Sequence, residues 1–149
     1  MTLDRTSLRD ALAAAPERAA MLAADADDPP AGEWSAREVL LHLVAVDVEV
    51  WQPRLDSLAE ASRPGNEPRW AWVEPRAWAG PGDDSLDGAL AAFRAQRAAT
   101  LDRIDGLGAA GWQRFGIHAT FGRLDVAGLL YILADHDEEH LAQIADLRA

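Results

Sequence analysis

The chain contains no cysteine and no lysine. The first absence rules out disulfides, a thiolate nucleophile and any sulfur-ligated metal. The second removes Schiff-base chemistry and the lysine-dependent phosphate loop. All 14 basic residues are arginine and face 25 acidic ones, for a net charge of −11. A nucleic-acid backbone would be repelled, so DNA and RNA are excluded as partners. No Gly-x-Ser-x-Gly elbow or Gly-x-Gly-x-x-Gly turn is present. No apolar run approaches the roughly 18 residues of a membrane span, and no charged-then-apolar leader opens the chain. The expectation is a cytoplasmic protein without a membrane partner. Any reaction must use histidine, carboxylates, arginine, tyrosine or a bound metal.

What remains is rich in alanine and leucine, with 49% hydrophobic residues over 149 positions. That length suits a single domain, 1–149, with one substantial core. Four helical stretches emerge, and the fold class is all-α. The first spans about Leu3 to Ala24, with Leu8, Leu12, Ala15, Ala19 and Leu22 in steps of 4 and 3; Pro16 should kink or divide it. The second starts at a capping box, Ser35 with Glu38, and runs past a disturbance at Pro53 to about Ala59. The third covers about Ser85 to Asp105, and the fourth opens at Asp125 as N-cap. Residues 62–84 and 106–124 read as long loops, the first carrying Trp70, Trp72 and Trp78. Joints of that length point to crossover connections rather than the tight turns of an idealised bundle.

The sharpest signal is His136-Asp-Glu-Glu-His140. The inward stripe of the last helix runs Val126, Leu129, Leu133, His136, His140, Ile144 and Leu147. Two imidazoles thus occupy places where a bundle wants leucine. Residues at i and i+4 have Cβ atoms about 5–6 Å apart, so both rings can reach one ion. His42 lies at the edge of the inward stripe of the second helix, within about 60° of Val39 and Val46. Three of the four histidines therefore face one interior. They read either as core histidines or as a three-imidazole metal site with open positions for water or substrate. Imidazole suits zinc and nickel equally.

Several segments together follow the order of a known family. They are Gly32-Glu-Trp-Ser-Ala-Arg-Glu-Val-Leu-Leu-His42, then Phe93 to Arg97 with Leu101. Gly111-Trp-Gln-Arg-Phe-Gly-Ile-His118 with Phe121-Gly122 comes next, and His136 to Gln143-Ile144 last. The chain resembles the DinB-like superfamily of metal-dependent four-helix-bundle proteins over nearly its whole length. The resemblance implies an up-down-down-up bundle with long crossover loops, frequently a homodimer, with a zinc or nickel site whose ligands carry over to His42, His136 and His140. It also implies a kind of activity. Family members include S-transferases and isomerases that use a low-molecular-weight thiol such as mycothiol or bacillithiol, which the metal activates.

Other residues compete for roles. The His-Glu-x-x-His signature of zinc peptidases is not met, because Asp137 is one methylene too short and only nine residues follow His140 to supply a third ligand. Arg97 sits at an inward position, either paired with Glu49 or anchoring a substrate carboxylate or phosphate. Glu49 reads as a solvated carboxylate, a general base or a support for the ligands. Asp137 and Glu139 are expected on the solvated face. His118 belongs to a family-like loop and is expected to make a capping hydrogen bond or a pocket-rim contact rather than a fourth ligand bond; with Arg97 and Glu49 it is also a candidate to bind and orient the substrate. Two functions follow: a metal-dependent enzyme, such as a thiol S-transferase acting on small electrophiles, or a non-catalytic metal-binding dimer of the stress response. Open coordination positions beside a polar-lined cavity favour the first and a closed site with no access the second.

Overall fold

Each long helix begins where a short polar side chain closes its first turn. In the computed structural model, which describes residues 4–60 and 65–148, Asp4 caps α1 (Arg5–Ala24) by accepting from the Ser7 N–H. Ser35 and Glu38 form the expected capping box on α2 (Ala36–Val46). This helix passes through a π-helical turn, Asp47–Trp51, into α3 (Gln52–Glu60). Pro53 has no N–H to donate, and the ladder slips by one residue just before it, with the Gln52 N–H donating to the Asp47 carbonyl. Ser85 caps α4 (Leu86–Gly106), and after the short α5 (Gly108–Trp112) Asp125 caps α6 (Val126–Ala145) as expected. Such caps contribute about 1 kcal/mol each.

Cross-helix pairs give the directions of the rods. Arg9 meets Asp105 and Glu17 meets Arg94, so α1 and α4 are antiparallel. Arg18 meets Glu138 and Asp25 meets Arg148, so α1 and α6 are parallel. Arg37 reaches the Asp83 carbonyl, Asp47 reaches Arg97 and Asp56 reaches Arg103, so α2–α3 runs parallel to α4. The result is an up-down-down-up four-helix bundle, and its parallel neighbours require a long crossover. Exposed pairs of this kind are worth about 0–1 kcal/mol each, so they report topology more than stability.

The connections read as loops carry more structure than expected. Strand β1 (Arg69–Trp70) pairs in parallel with β2 (Phe115–His118), which pairs antiparallel with β3 (Gly122–Asp125) in a three-stranded sheet. Arg69 stands opposite Ile117, and Phe115 opposite Asp125. Strands of two and four residues are too short for a period-2 alternation to be read from sequence. Gly116 is required at the crossing, since a Cβ there would lie 2.4 Å from the indole of Trp70. The expected helix start at Leu3 and residues 61–64 lie outside the described residues.

Two apolar clusters fill the bundle. One gathers Ala15, Ala19, Val39, Leu40, Leu43, Phe93, Leu141 and Ile144. The other gathers Leu8, Leu12, Val46, Leu55, Ile104, Val126, Leu129 and Leu133. On α1, α2, α4 and α6 alike, the boundary between them falls at one polar layer. Arg97, 1% exposed, donates Nε and Nη2 to Asp47 at 3.1 and 3.2 Å, and Nη1 and Nη2 to Asp137 at 2.6 and 2.8 Å. Its last N–H goes to the Leu12 carbonyl at 2.9 Å. Thr100 Oγ adds a hydrogen bond to Asp47 at 3.0 Å and accepts one from Gln52.

This layer explains how α1 continues undivided through Pro16. Pro16 neither divides nor ends α1, which is continuous from Arg5 to Ala24. Without an N–H, Pro16 leaves the Leu12 carbonyl without its helical donor, and Arg97 supplies one instead. Removing the guanidinium would strand two buried carboxylates. Arg97→Met should therefore lose about 3–5 kcal/mol in urea unfolding, whereas the triple variant that also makes Asp47→Leu and Asp137→Leu should recover most of that loss. A single variant as stable as wild type would contradict the network.

Candidate metal centre

The stripe on α6 turns His136 and His140 toward α2, where His42 meets them. Ring centroids are 4.5 Å apart for His136 and His140, 4.7 Å for His42 and His140, and 5.5 Å for His42 and His136. One ring nitrogen from each lies within 4.8 Å of the others. The His136 and His140 Nε2 atoms face each other at 3.1 Å. Two nitrogens bound tetrahedrally at 2.0–2.1 Å to one ion would stand about 3.3 Å apart, so this spacing already approximates a shared coordination sphere. Gln143, one turn on, places its Oε1 at 2.8 Å from His140 Nδ1. An amide oxygen only accepts, so Nδ1 carries the proton and the Nε2 lone pair points at the cluster.

The surroundings keep the His42 and His136 rings neutral. Burial, reinforced by the neighbouring His140, pushes His42 down to about 4. Burial, with His140, His42 and Arg97, pushes His136 down to about 3. Neutral imidazole is the form that coordinates a metal. The donor set thus fits a divalent transition-metal ion.

The cluster is reachable. A cavity of about 240 Å³ opens beside His42, walled by Trp34, Leu41, Glu74, Arg76 and Trp78. A second, of about 480 Å³, shares Trp34 as a wall and reaches His140 and Gln143. Trp34 lies 5.1 Å from the His42 ring, and Trp51 lies 6.2 Å from that of His136. The apolar wall is held from behind by Glu49, which accepts from the Arg76 backbone N–H at 2.6 Å and from its Nε at 3.1 Å.

Several expected roles change. Glu49 pairs with Arg76 and not with Arg97, because the π-helical turn presents Asp47 to Arg97 instead. Arg97 is not available as a substrate anchor, since all five of its N–H groups are taken inside the bundle. Burial works against its charge, yet Asp47 and Asp137 outweigh burial and hold it protonated. Asp137 is buried in this network and not solvated; Glu139 is exposed as expected. His118 is buried in the sheet, where its Nδ1 accepts from the Thr120 and Phe121 N–H groups at 3.0 and 3.3 Å. That is the expected capping contact, and His118 is not among the clustered histidines. Asp47, Gln52, Thr100 and Gln143 were not singled out by sequence. A buried arginine does call for inward carboxylates, but a π-helical slip hides which of Asp47 and Glu49 answers.

A four-helix bundle of up-down-down-up topology carrying a three-histidine cluster between its second and last long helices defines the class. The chain belongs to the DinB superfamily, whose family model matches residues 3–144. Among solved structures it is similar to YfiT from Bacillus subtilis, described as a probable metal-dependent hydrolase with an unusual four-helix bundle topology. The two superpose with a TM-score of 0.67 at 16% identity, over 97% of this chain and 87% of that one, a likeness of fold. No curated protein matches the sequence.

The tautomer argument is open to direct measurement. Nitrogen-15 NMR of the metal-free protein should show His140 protonated at Nδ1. His42 and His136, with values lowered to about 4 and about 3, should still be neutral at pH 5, well below the ordinary histidine pKa of about 6.5. Charged His42 or His136 rings at that pH would contradict the buried, neutral cluster.

Proposed function

We propose that this DinB-superfamily chain is a metal-dependent enzyme in which His42, His136 and His140 hold one zinc or nickel ion and deliver a low-molecular-weight thiol to a small electrophile. The observation that carries this reading is a cluster of neutral imidazoles opening onto a tryptophan-walled cavity. A divalent ion on three imidazoles supplies a Lewis acid that lowers the pKa of a coordinated thiol or water.

The chain's own side chains do the rest. With no cysteine or lysine, the protein supplies no thiolate or amine nucleophile of its own, and in this reading the attacking thiol comes from the cofactor. Gln143 orients His140 through the Nδ1 contact. Trp34 and Trp78 offer flat apolar surface to a small-molecule partner. The Glu49–Arg76 pair fixes the 74–78 wall over His42. The reading includes a homodimer, as the family resemblance implies, and places it in the cytoplasm. The alternative, a non-catalytic metal-binding dimer of the stress response, fits less well because access to the histidines is open.

Metal-loaded protein incubated with a low-molecular-weight thiol and a chlorinated nitroarene should yield the thioether, detected by mass spectrometry, and His42→Ala should not. Consumption of the electrophile by water with no thiol requirement would replace transfer by hydrolysis. Full metal loading without turnover across thiols and electrophiles would favour the non-catalytic reading. Separately, Gln143→Leu should weaken zinc affinity about 10–100-fold without abolishing it. Unchanged affinity in a competition titration would remove Gln143 from the site.

A further inference from the structure

The bundle buries two arginines, and they are treated differently. Arg97 spends every N–H on carboxylates and a carbonyl. Arg54, 6% exposed, has one hydrogen bond among the described residues, from Nη2 to the Ala71 carbonyl at 3.2 Å. No carboxylate pairs with it among those residues. Its guanidinium lies 5.4 Å from the Trp51 ring and 5.8 Å from that of Trp70. Burial lowers its pKa with no counter-charge to offset the effect. The two indoles and one carbonyl satisfy the guanidinium only in part, and an anion would complete its pairing.

The unused donors face open space. No sealed side-chain nitrogen or oxygen among the described residues lacks a hydrogen-bond partner. The remaining Arg54 nitrogens, which have no protein partner, are therefore not sealed in. They border a cavity of about 300 Å³ between α3 and β1, with Arg69, Ser57 and Trp70 among its walls. Arg69 makes no ion pair among the described residues, so two uncommitted guanidinium groups share this cavity in a chain of net charge −11. Its one carboxylate, Glu49, is already engaged by Arg76. Arg76 lines the cavity beside His42, so this ion pair joins the two cavities while keeping them distinct.

We propose that the Arg54–Arg69 cavity binds the oxyanion group, phosphate or carboxylate, of a small molecule. Guanidinium offers paired N–H donors that match such groups, and the flanking indoles keep the site partly dry. This site stands on residues outside the histidine cluster and does not depend on a metal.

Calorimetric titration with inorganic phosphate and, in a second arm, succinate tests it at constant ionic strength, with chloride as control. Saturable one-site binding is expected for at least one of the two, and the arm that binds identifies the anion class. Arg54→Gln keeps a donor for the Ala71 carbonyl but removes the charge, and should weaken that binding about tenfold or more. Arg69→Gln should weaken it too, and decides the matter if Arg54→Gln does not fold. His42→Ala should bind the anion as wild type does. The proposal is overturned if neither anion binds saturably, if both arginine variants bind unchanged, or if His42→Ala abolishes binding, which would place the anion at the histidines.

Discussion

Arg97 is the constraint on which the rest of the bundle depends. Its five donors reach α1 through Leu12, α2 and the π-helical turn through Asp47, and α6 through Asp137, while the side chain itself springs from α4. No other contact described above ties all four long helices at one level. Buried ion networks of this kind add little net stability compared with apolar packing, but they tolerate very few geometries. Here the geometry they fix is that of the site. Asp137 points inward beside His136, so the rotation of α6 that satisfies Arg97 also sets where His136 and His140 face. Asp47 does the same for the helix that carries His42.

Two irregularities become necessary parts once this layer is recognised. Pro16 leaves a carbonyl without its helical donor, and that carbonyl completes the Arg97 shell. The π-helical turn ahead of Pro53 rotates Asp47 into the core and Glu49 outward toward Arg76. The turn thus serves both the polar layer and the wall of the cavity over His42.

The helices, their caps and the inward histidines were legible because each rests on local periodicity or a short capping pattern. Ser35 with Glu38, Asp125, and the run from Val126 to Leu147 are of this kind. The partners of Arg97 were not legible, because the pairing joins residues far apart in the chain, although Asp137 and Asp47 both lie at inward helical spacing from buried leucines. The small sheet was missed for a related reason: its strands are defined by pairing across two connections, and Gly116 and Trp70 announce that contact only in three dimensions. Arg54 reads as an ordinary surface arginine until the fold buries it between two indoles.

The electrostatics of the site follow from the same architecture. A chain with a large acidic excess keeps His42 and His136 neutral by partly burying them beside Trp34 and Trp51, so these rings favour a cation over protons. Access through the cavities beside His42 and His140 leaves room for an exogenous ligand. The most direct test of the central claim is elemental analysis of purified, tag-free protein beside His136→Ala. The account predicts about one zinc or nickel per chain in wild type and loss of that metal in the variant, with helical content retained. Equal metal content in both, or none in wild type after reconstitution with divalent ions, would contradict it and leave the three histidines as packing residues.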